Sequence, residues 1–386
     1  MIVIDNISII VIAVLLVLAV ATPWISIFVR RPHPKQYETD GEDPEDDTPL
    51  PGITVVLTPH ENGQELKENL PLFLNQQYGG DFQVVLVIWK SDTEAADILK
   101  GFSSNPHLYV TYIPDSSRYM SRKKLSITLG VKAAKYDWVV MTEATNKPAG
   151  DNWLATLARN CREGVSLVLG YTYYNSETSS YRQYLKFVDD LYLMRETEHG
   201  RTFRCNSTCL MFAKQAFVDW EGFRGNLKYL RGEYDFIANK YFTYGETLLE
   251  TDPDAWMEEE EPTDKEWKDK QLFYQEDRKH LRGRARHRLP IAFDQTFLHL
   301  DYLVILAAIA YSVITQKWVI AAAAAIAMIV TTCIRNILAG KALDEWGVDV
   351  PHWKSVWYDL SFVWHWLSYK LKYAKADKTD FISHKI

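Results

Sequence analysis

The sequence predicts an α/β domain, a mostly parallel sheet with helices on both faces, held between transmembrane helices at both ends of the chain. Three observations predict it. Short apolar runs alternate with amphipathic stretches between residues 53 and 171. An apolar run of membrane length occupies residues 7–29. A second apolar region, residues 297–338, is divided in two by Gln316 and Lys317.

Charge sets the expected topology. About 20 apolar residues cross a hydrocarbon core of roughly 30 Å, and the run at 7–29 is broken only by Thr22-Pro23-Trp24-Ile25-Ser26. A signal peptide would start basic and end at a small-residue cleavage site. Here Asp5 precedes the run and Arg30, Arg31 and Lys35 follow it. That pattern fits an uncleaved anchor, residues 1–31, with its N-terminus outside and Arg30 inside. The hairpin at 297–340 has a basic block at 278–288 before it and Arg335 and Lys341 at its end. Both flanks therefore belong inside, with only the turn at 315–317 outside. Everything between is expected in the cytoplasm, on a multi-pass protein of the cell inner (plasma) membrane. The basic block suits lipid headgroups. In the tail, residues 345–386, Trp353, Val356, Trp357, Leu360, Trp364 and Leu367 recur at helical spacing. Such a face suits the membrane interface, and a core-packed helix competes for the same pattern. Three spans with no central charge argue against a transporter or channel.

Between the spans, residues 32–52 form an acidic, Pro-rich linker without apolar periodicity. The domain follows over 53–290. Strands are expected at 53–57, 82–88, 108–113, 138–141 and 165–171, and helices at 64–77, 95–102 and 121–134. Ligands of such sheets bind beyond the C-terminal ends of the strands. That places chemistry near 59–62, 89–92 and 142–145. Neither GxGxxG nor a P-loop pattern occurs, so dinucleotide and ATPase chemistry lose ground. The net charge of −7 argues against a nucleic-acid partner. The four cysteines, Cys161, Cys205, Cys209 and Cys333, form no CxxC pair. They read as reduced thiols rather than a zinc site or disulfide framework.

Five segments, in order, carry a family resemblance. ITVVLTPHENGQELKENLPLFLNQQY at 53–78 resembles the first strand, Pro-x-Asn-Glu-like loop and Leu-rich helix of family 2 glycosyltransferases. SRKKLSITLGVKAAKYDWVVMTEATNKPAGDNW at 121–153 resembles that family's Lys-containing helix, strand and Asp-Ala-Asp block. CNSTCLMFAKQAFVDWEGF at 205–223 resembles the acceptor-side segment ending in Gly-Phe. Gly232-Glu233-Tyr234-Asp235-Phe236 resembles the Glu-Asp motif of the catalytic base. Gln275-Glu276-Asp277-Arg278 resembles the start of Gln-x-x-Arg-Trp, with Lys279 where Trp would stand. The resemblance spans 53–281. It implies a GT-A fold, a nucleoside-diphosphate sugar donor with a UDP-sugar favoured, and inverting transfer to a lipid-linked or cell-envelope glycan.

Such transfer breaks an anomeric C–O bond through an oxocarbenium-like state. It needs a base for the acceptor hydroxyl and a counter-charge for the departing diphosphate. The resemblance makes Asp235 the first choice of base and Glu233 the second. Read as bare residues, both also complement a helix dipole. Glu143 and Thr145 stand where the family has its two metal-binding aspartates. Thr145 supplies only a neutral oxygen, so Mg2+ or Mn2+ is expected to bind weakly or to be absent. Lys123, Lys124 or Arg278 could then meet the phosphates, although a lysine pair is more often a solvated helix face. Pro59, Glu61, Asp92, Lys124, Thr142 and Glu143 are the expected nucleotide-sugar contacts. Trp89 offers base stacking or plain packing. Asn206, Gln275 and Arg278 are assigned to the acceptor or diphosphate. Their alternatives are a polar turn for Asn206 and the first charge of the basic block for Arg278. The altered metal motif also supports a second function, a catalytically inactive membrane scaffold or partner subunit.

Overall fold

The computed structural model describes residues 5–35, 50–115, 121–243 and 245–382, and most of the expected linker lies outside them. Packing divides the chain into two compact units. One comprises Met1–Pro32, Ser179–Arg195 and Gly283–Ser368, the other His33–Thr178, Glu196–Arg282 and Tyr369–Ile386. This differs from one continuous domain over 53–290, because Ser179–Arg195 belongs with the long apolar helices.

In the second unit, the described residues form ten strands: β1 (Ile53–Leu57), β2 (Phe82–Trp89), β3 (Leu108–Ile113), β4 (Trp138–Thr142), β5 (Lys147–Pro148), β6 (Val165–Leu169), β7 (Thr172–Tyr174), β8 (Leu210–Ala213), β9 (Glu246–Leu249) and β10 (Met257–Glu259). The main sheet has the order β3-β2-β1-β4-β8-β6-β9, and a small sheet the order β5-β10-β7. All main-sheet pairings are parallel except those of β8, which opposes both β4 and β6. β1 is buried at every residue, as expected of a strand covered on both faces. Val55 and Leu57 face a core with Leu66, Leu70 and Phe73 of helix Gly63–Leu74 and with Trp153. Trp153 meets Phe73 edge-on at 5.7 Å. Val56 points to the other face, where helix Arg122–Ala133 crosses. That helix comes close because residue 130 is glycine: a Cβ there would sit 2.4 Å from the Val56 side chain.

Leu57 is in register with Thr142, so β1 and β4 end at one level, while β2, paired with Leu57 at Leu86, runs on to Trp89. β2 and β3 extend to one side of β1, and β4 and its neighbours to the other. The strand order thus reverses between β1 and β4, which opens a ligand crevice beyond their C-terminal ends.

In the first unit, three helices among the described residues are long and apolar enough to cross a membrane: Asn6–Ile25, Arg284–Thr315 and Trp318–Glu345. The second begins well before residue 297. Their contact is built from Leu15, Ala19, Ile305, Ala308, Ala323, Ala324 and Ala327, and the small alanine side chains let the helices approach. Contrary to the sequence expectation, these helices do carry buried charge. Arg335 donates to Asp359 (2.9 Å), Asp294 (3.2 Å) and the Thr22 carbonyl (3.3 Å). Asp301 accepts from Thr331 at 2.9 Å, and Asp294 from the Tyr192 hydroxyl at 2.7 Å. In the tail helix Ser355–Lys375, Trp357 and Trp364 are 65% and 62% exposed. That exposure favours the interfacial reading over the core-packed one. The four cysteines are free, with Cys205 and Cys209 buried and Cys333 exposed.

Candidate active site

The crevice is built from the residues that follow β1 and β4 and from the first turn of helix Arg122–Ala133. After β1, Pro59 is buried and Glu61 exposed. Glu61 adopts a left-handed backbone, φ 57°, uncommon for a residue with a side chain. After β4, Glu143 meets two donors. The Lys123 ammonium binds its Oε2, and the Tyr234 hydroxyl donates to Oε1 at 2.9 Å. Lys123 also reaches the Thr58 carbonyl at 3.4 Å. It therefore bridges the ends of β1 and β4. The Lys123 and Glu143 side chains are 22% and 23% exposed, open to a ligand.

Tyr234 brings the second group of charges. Gly232, with φ 83°, starts helix Glu233–Tyr241, whose first turn holds Glu233 and Asp235. Asp277 packs on Gly232 so closely that a Cβ there would meet its carboxylate at 2.9 Å. Burial, then the nearby Asp235 charge, pushes the Asp277 carboxyl up to about 8. Burial pulls the Lys124 ammonium down to about 8, against the attraction of Glu233 and Asp277. Burial first, then the Glu143 charge, keeps the Tyr234 phenol well above its ordinary value. Arg204 approaches Asp235 at 3.8 Å and lies 4.2 Å above the Tyr274 ring.

The sequence-assigned residues separate into those near this cluster and those engaged elsewhere. Glu143, Glu233, Asp235 and Lys124 converge. Lys124 is fully buried, and its ammonium donates to the carbonyls of Asn226 (2.9 Å) and Tyr229. It pins a loop rather than facing a phosphate. Thr142 is buried, accepts from Asn146 at 3.0 Å and touches the Met257 sulfur, so its hydroxyl is turned inward. Asp92 caps helix Thr93–Lys100 through the Ala95 N–H at 3.0 Å. The Trp89 ring is covered by the Arg122 guanidinium at 4.9 Å. Asn206 accepts from Arg204 at 3.3 Å. Arg278 is buried with its guanidinium 5.8 Å from the Tyr274 ring. Lys279, in the family's Trp position, binds Glu276 and Tyr373. Gln275 is 1% exposed, and neither polar atom of its amide has a partner among the described residues. Such burial costs about 1–3 kcal/mol unless a ligand satisfies the group. Tyr234, Arg204 and Asp277 were missed as site residues, although Tyr234 and Asp277 stand inside the quoted motifs.

The donor set does not suit a hard divalent cation, which prefers several carboxylate oxygens. Glu143 is one carboxylate whose two oxygens already serve an ammonium and a phenol, and Thr145 adds no charge. Among the described residues no three His, Cys, Asp or Glu side chains gather in a metal-binding group.

The mixed sheet and its crevice have the arrangement of the GT-A fold, and a family model gives the class, a glycosyltransferase. The chain belongs to glycosyl transferase family 21, whose family model matches residues 10–224, more than half of the 386. The resemblance to family 2 holds at the coarser level of GT-A glycosyltransferases. Among solved structures, mannosyltransferase PcManGT from Pyrobaculum calidifontis, in complex with GDP-Man and Mn2+, matches 90% of this chain and 98% of its own. Its identity is 16% and its TM-score 0.50, a likeness of fold. GalNAc-T7 with UDP, GalNAc and Mn2+ matches 56% of this chain and 44% of its own, at 11% identity and TM-score 0.40, too low to carry an argument. No curated protein matches the sequence.

Proposed function

We propose that this protein is a membrane-bound enzyme that transfers a sugar from a nucleoside-diphosphate sugar, with a UDP-sugar the favoured donor, to a lipid-linked or cell-envelope glycan, with inversion. One observation carries the reading. At the β1–β4 crevice, the Lys123–Glu143 pair is tied through Tyr234 to the acids Glu233, Asp235 and Asp277. Asp235 takes the proton of the acceptor hydroxyl as that oxygen attacks the anomeric carbon. The bond to the diphosphate breaks on the opposite face, and its electron pair leaves with the diphosphate. Two close carboxylates do not readily ionise together, so the proton held by Asp277 leaves Asp235 available as base. Glu233 is the alternative base. Pro59, Glu61 and Asp92, after β1 and β2, are proposed to meet the nucleoside, and Asn206, Gln275 and Arg278 the acceptor or diphosphate. Mg2+ or Mn2+ would have Glu143 as its one carboxylate, with Thr145, two residues on, offering only a neutral oxygen, and is expected to bind weakly. The basic flanks of the spanning helices support a cytoplasmic catalytic unit on the inner (plasma) membrane.

Pairing of Glu143 with Lys123 also favours a second reading, a catalytically inactive scaffold or partner subunit. Calorimetric titration of the full chain in detergent with UDP-glucose, UDP-galactose, UDP-GlcNAc and GDP-mannose separates the two. The enzyme reading predicts micromolar binding of at least one donor. Silence with all four, in a chain that melts cooperatively, leaves the scaffold.

A further inference from the structure

We infer that the Lys123 ammonium, held by Glu143 and the Thr58 carbonyl at the β1–β4 crevice, supplies the counter-charge for the donor diphosphate in place of a tightly bound divalent ion. The inference rests on the nucleotide-sugar reading and deepens it. An ammonium has three N–H donors. Glu143 takes one and Thr58 another, which leaves one for an anionic oxygen. Tyr234 fixes the other oxygen of Glu143, so both oxygens of the carboxylate are engaged and one of them aims Lys123. A divalent ion at Glu143 would sit beside that ammonium and be repelled by it.

The surroundings agree. Arg122, Lys123 and Lys124 occupy the first turn of their helix, which has no acidic residue. Cations there oppose the helix dipole, whereas an anion is favoured at the same end. Of the three, Lys124 is spent on loop carbonyls and Arg122 lies over Trp89. Lys123 is the one that reaches the switch point of the strand order, where such sheets bind ligands.

The test is calorimetry on the full chain in detergent with UDP, UMP, GDP and GMP, with EDTA or Mn2+, for the native protein and the variants Lys123→Gln and Lys123→Arg. Expected is a native preference for diphosphate over monophosphate that survives EDTA. Lys123→Gln should lose about ten- to a hundredfold of diphosphate affinity while keeping monophosphate binding, which also shows that it folds. Lys123→Arg should retain the preference. A native preference that disappears with EDTA overturns the inference, as does one that persists in Lys123→Gln. Should Lys123→Gln not fold, the EDTA and Lys123→Arg results still decide. Failure of the native chain to bind any of the four nucleotides removes the functional reading, and the inference with it.

Discussion

Lys123 and Lys124 are neighbours in the sequence, yet one lies at the mouth of the crevice and the other is buried against loop carbonyls. Successive helical residues point about 100° apart, so their fates diverge once the helix is placed on the sheet. The sequence named both as phosphate partners because it carries residue types but not the helix rotation. Glu143 and Asp235 each stand in a motif whose neighbours mark its place, directly after β4 and in the first turn of helix Glu233–Tyr241. Thr142 turns its hydroxyl inward and Asp92 caps a helix, engagements that look the same in sequence as ligand-facing groups. Asp277 carries a prediction at this scale. In the fold it holds its proton up to about pH 8, against 3.8 for its ordinary value. Between those values the native state binds more protons than the unfolded chain, so this contribution to stability falls as pH rises. It is fully present below about pH 4 and lost as pH passes 8. Lys124, Glu233, Asp235 and Glu276 set the field that Asp277 feels. The thermal midpoint should therefore decline from pH 5 to 8 in the native chain, and Asp277→Asn should flatten that decline. Parallel curves for the two proteins would refute this.

At the scale of elements, the strands buried on both faces were the easiest to read. β1, β2 and β4 are apolar runs interrupted only by Thr54 and Gln83 and closed by Thr142, close to the near-continuous pattern of a covered parallel sheet. β5, β7 and β10 are two or three residues long, too short for any periodicity. The antiparallel β8 was missed because Leu210–Ala213 reads as part of a motif rather than as a strand. The turn at Gly232 links element to site. Its φ of 83° favours glycine, and its missing Cβ makes room for Asp277. Gly225 shares the left-handed backbone, φ 92°, but has open space around it. Gly232→Ala should thus lower the thermal midpoint clearly more than Gly225→Ala, by an added cost on the order of 1–3 kcal/mol. Equal shifts for the two would show that the Asp277 contact is not tight.

At the scale of the whole molecule, the length and hydropathy of the helices able to cross a membrane were plain in the sequence. Their buried charges were overlooked. Arg335 lies on a different helix from Asp294 and from Asp359, and only packing shows that it is held between them. Charges in apolar surroundings persist when paired in this way, and removal of one partner is costly. The division into two units was equally hidden, because Ser179–Arg195 interrupts the α/β segment without a composition change to mark it. What the chain does as a whole rests on one claim, that Asp235 is the base of a sugar transfer. The measurement that tests it most directly is turnover by the full chain, with the donor found in the titrations, for the native protein and Asp235→Asn. The account predicts a fall of about a hundredfold or more, with donor affinity held within about threefold. Undiminished turnover in Asp235→Asn, with donor binding intact, would contradict it.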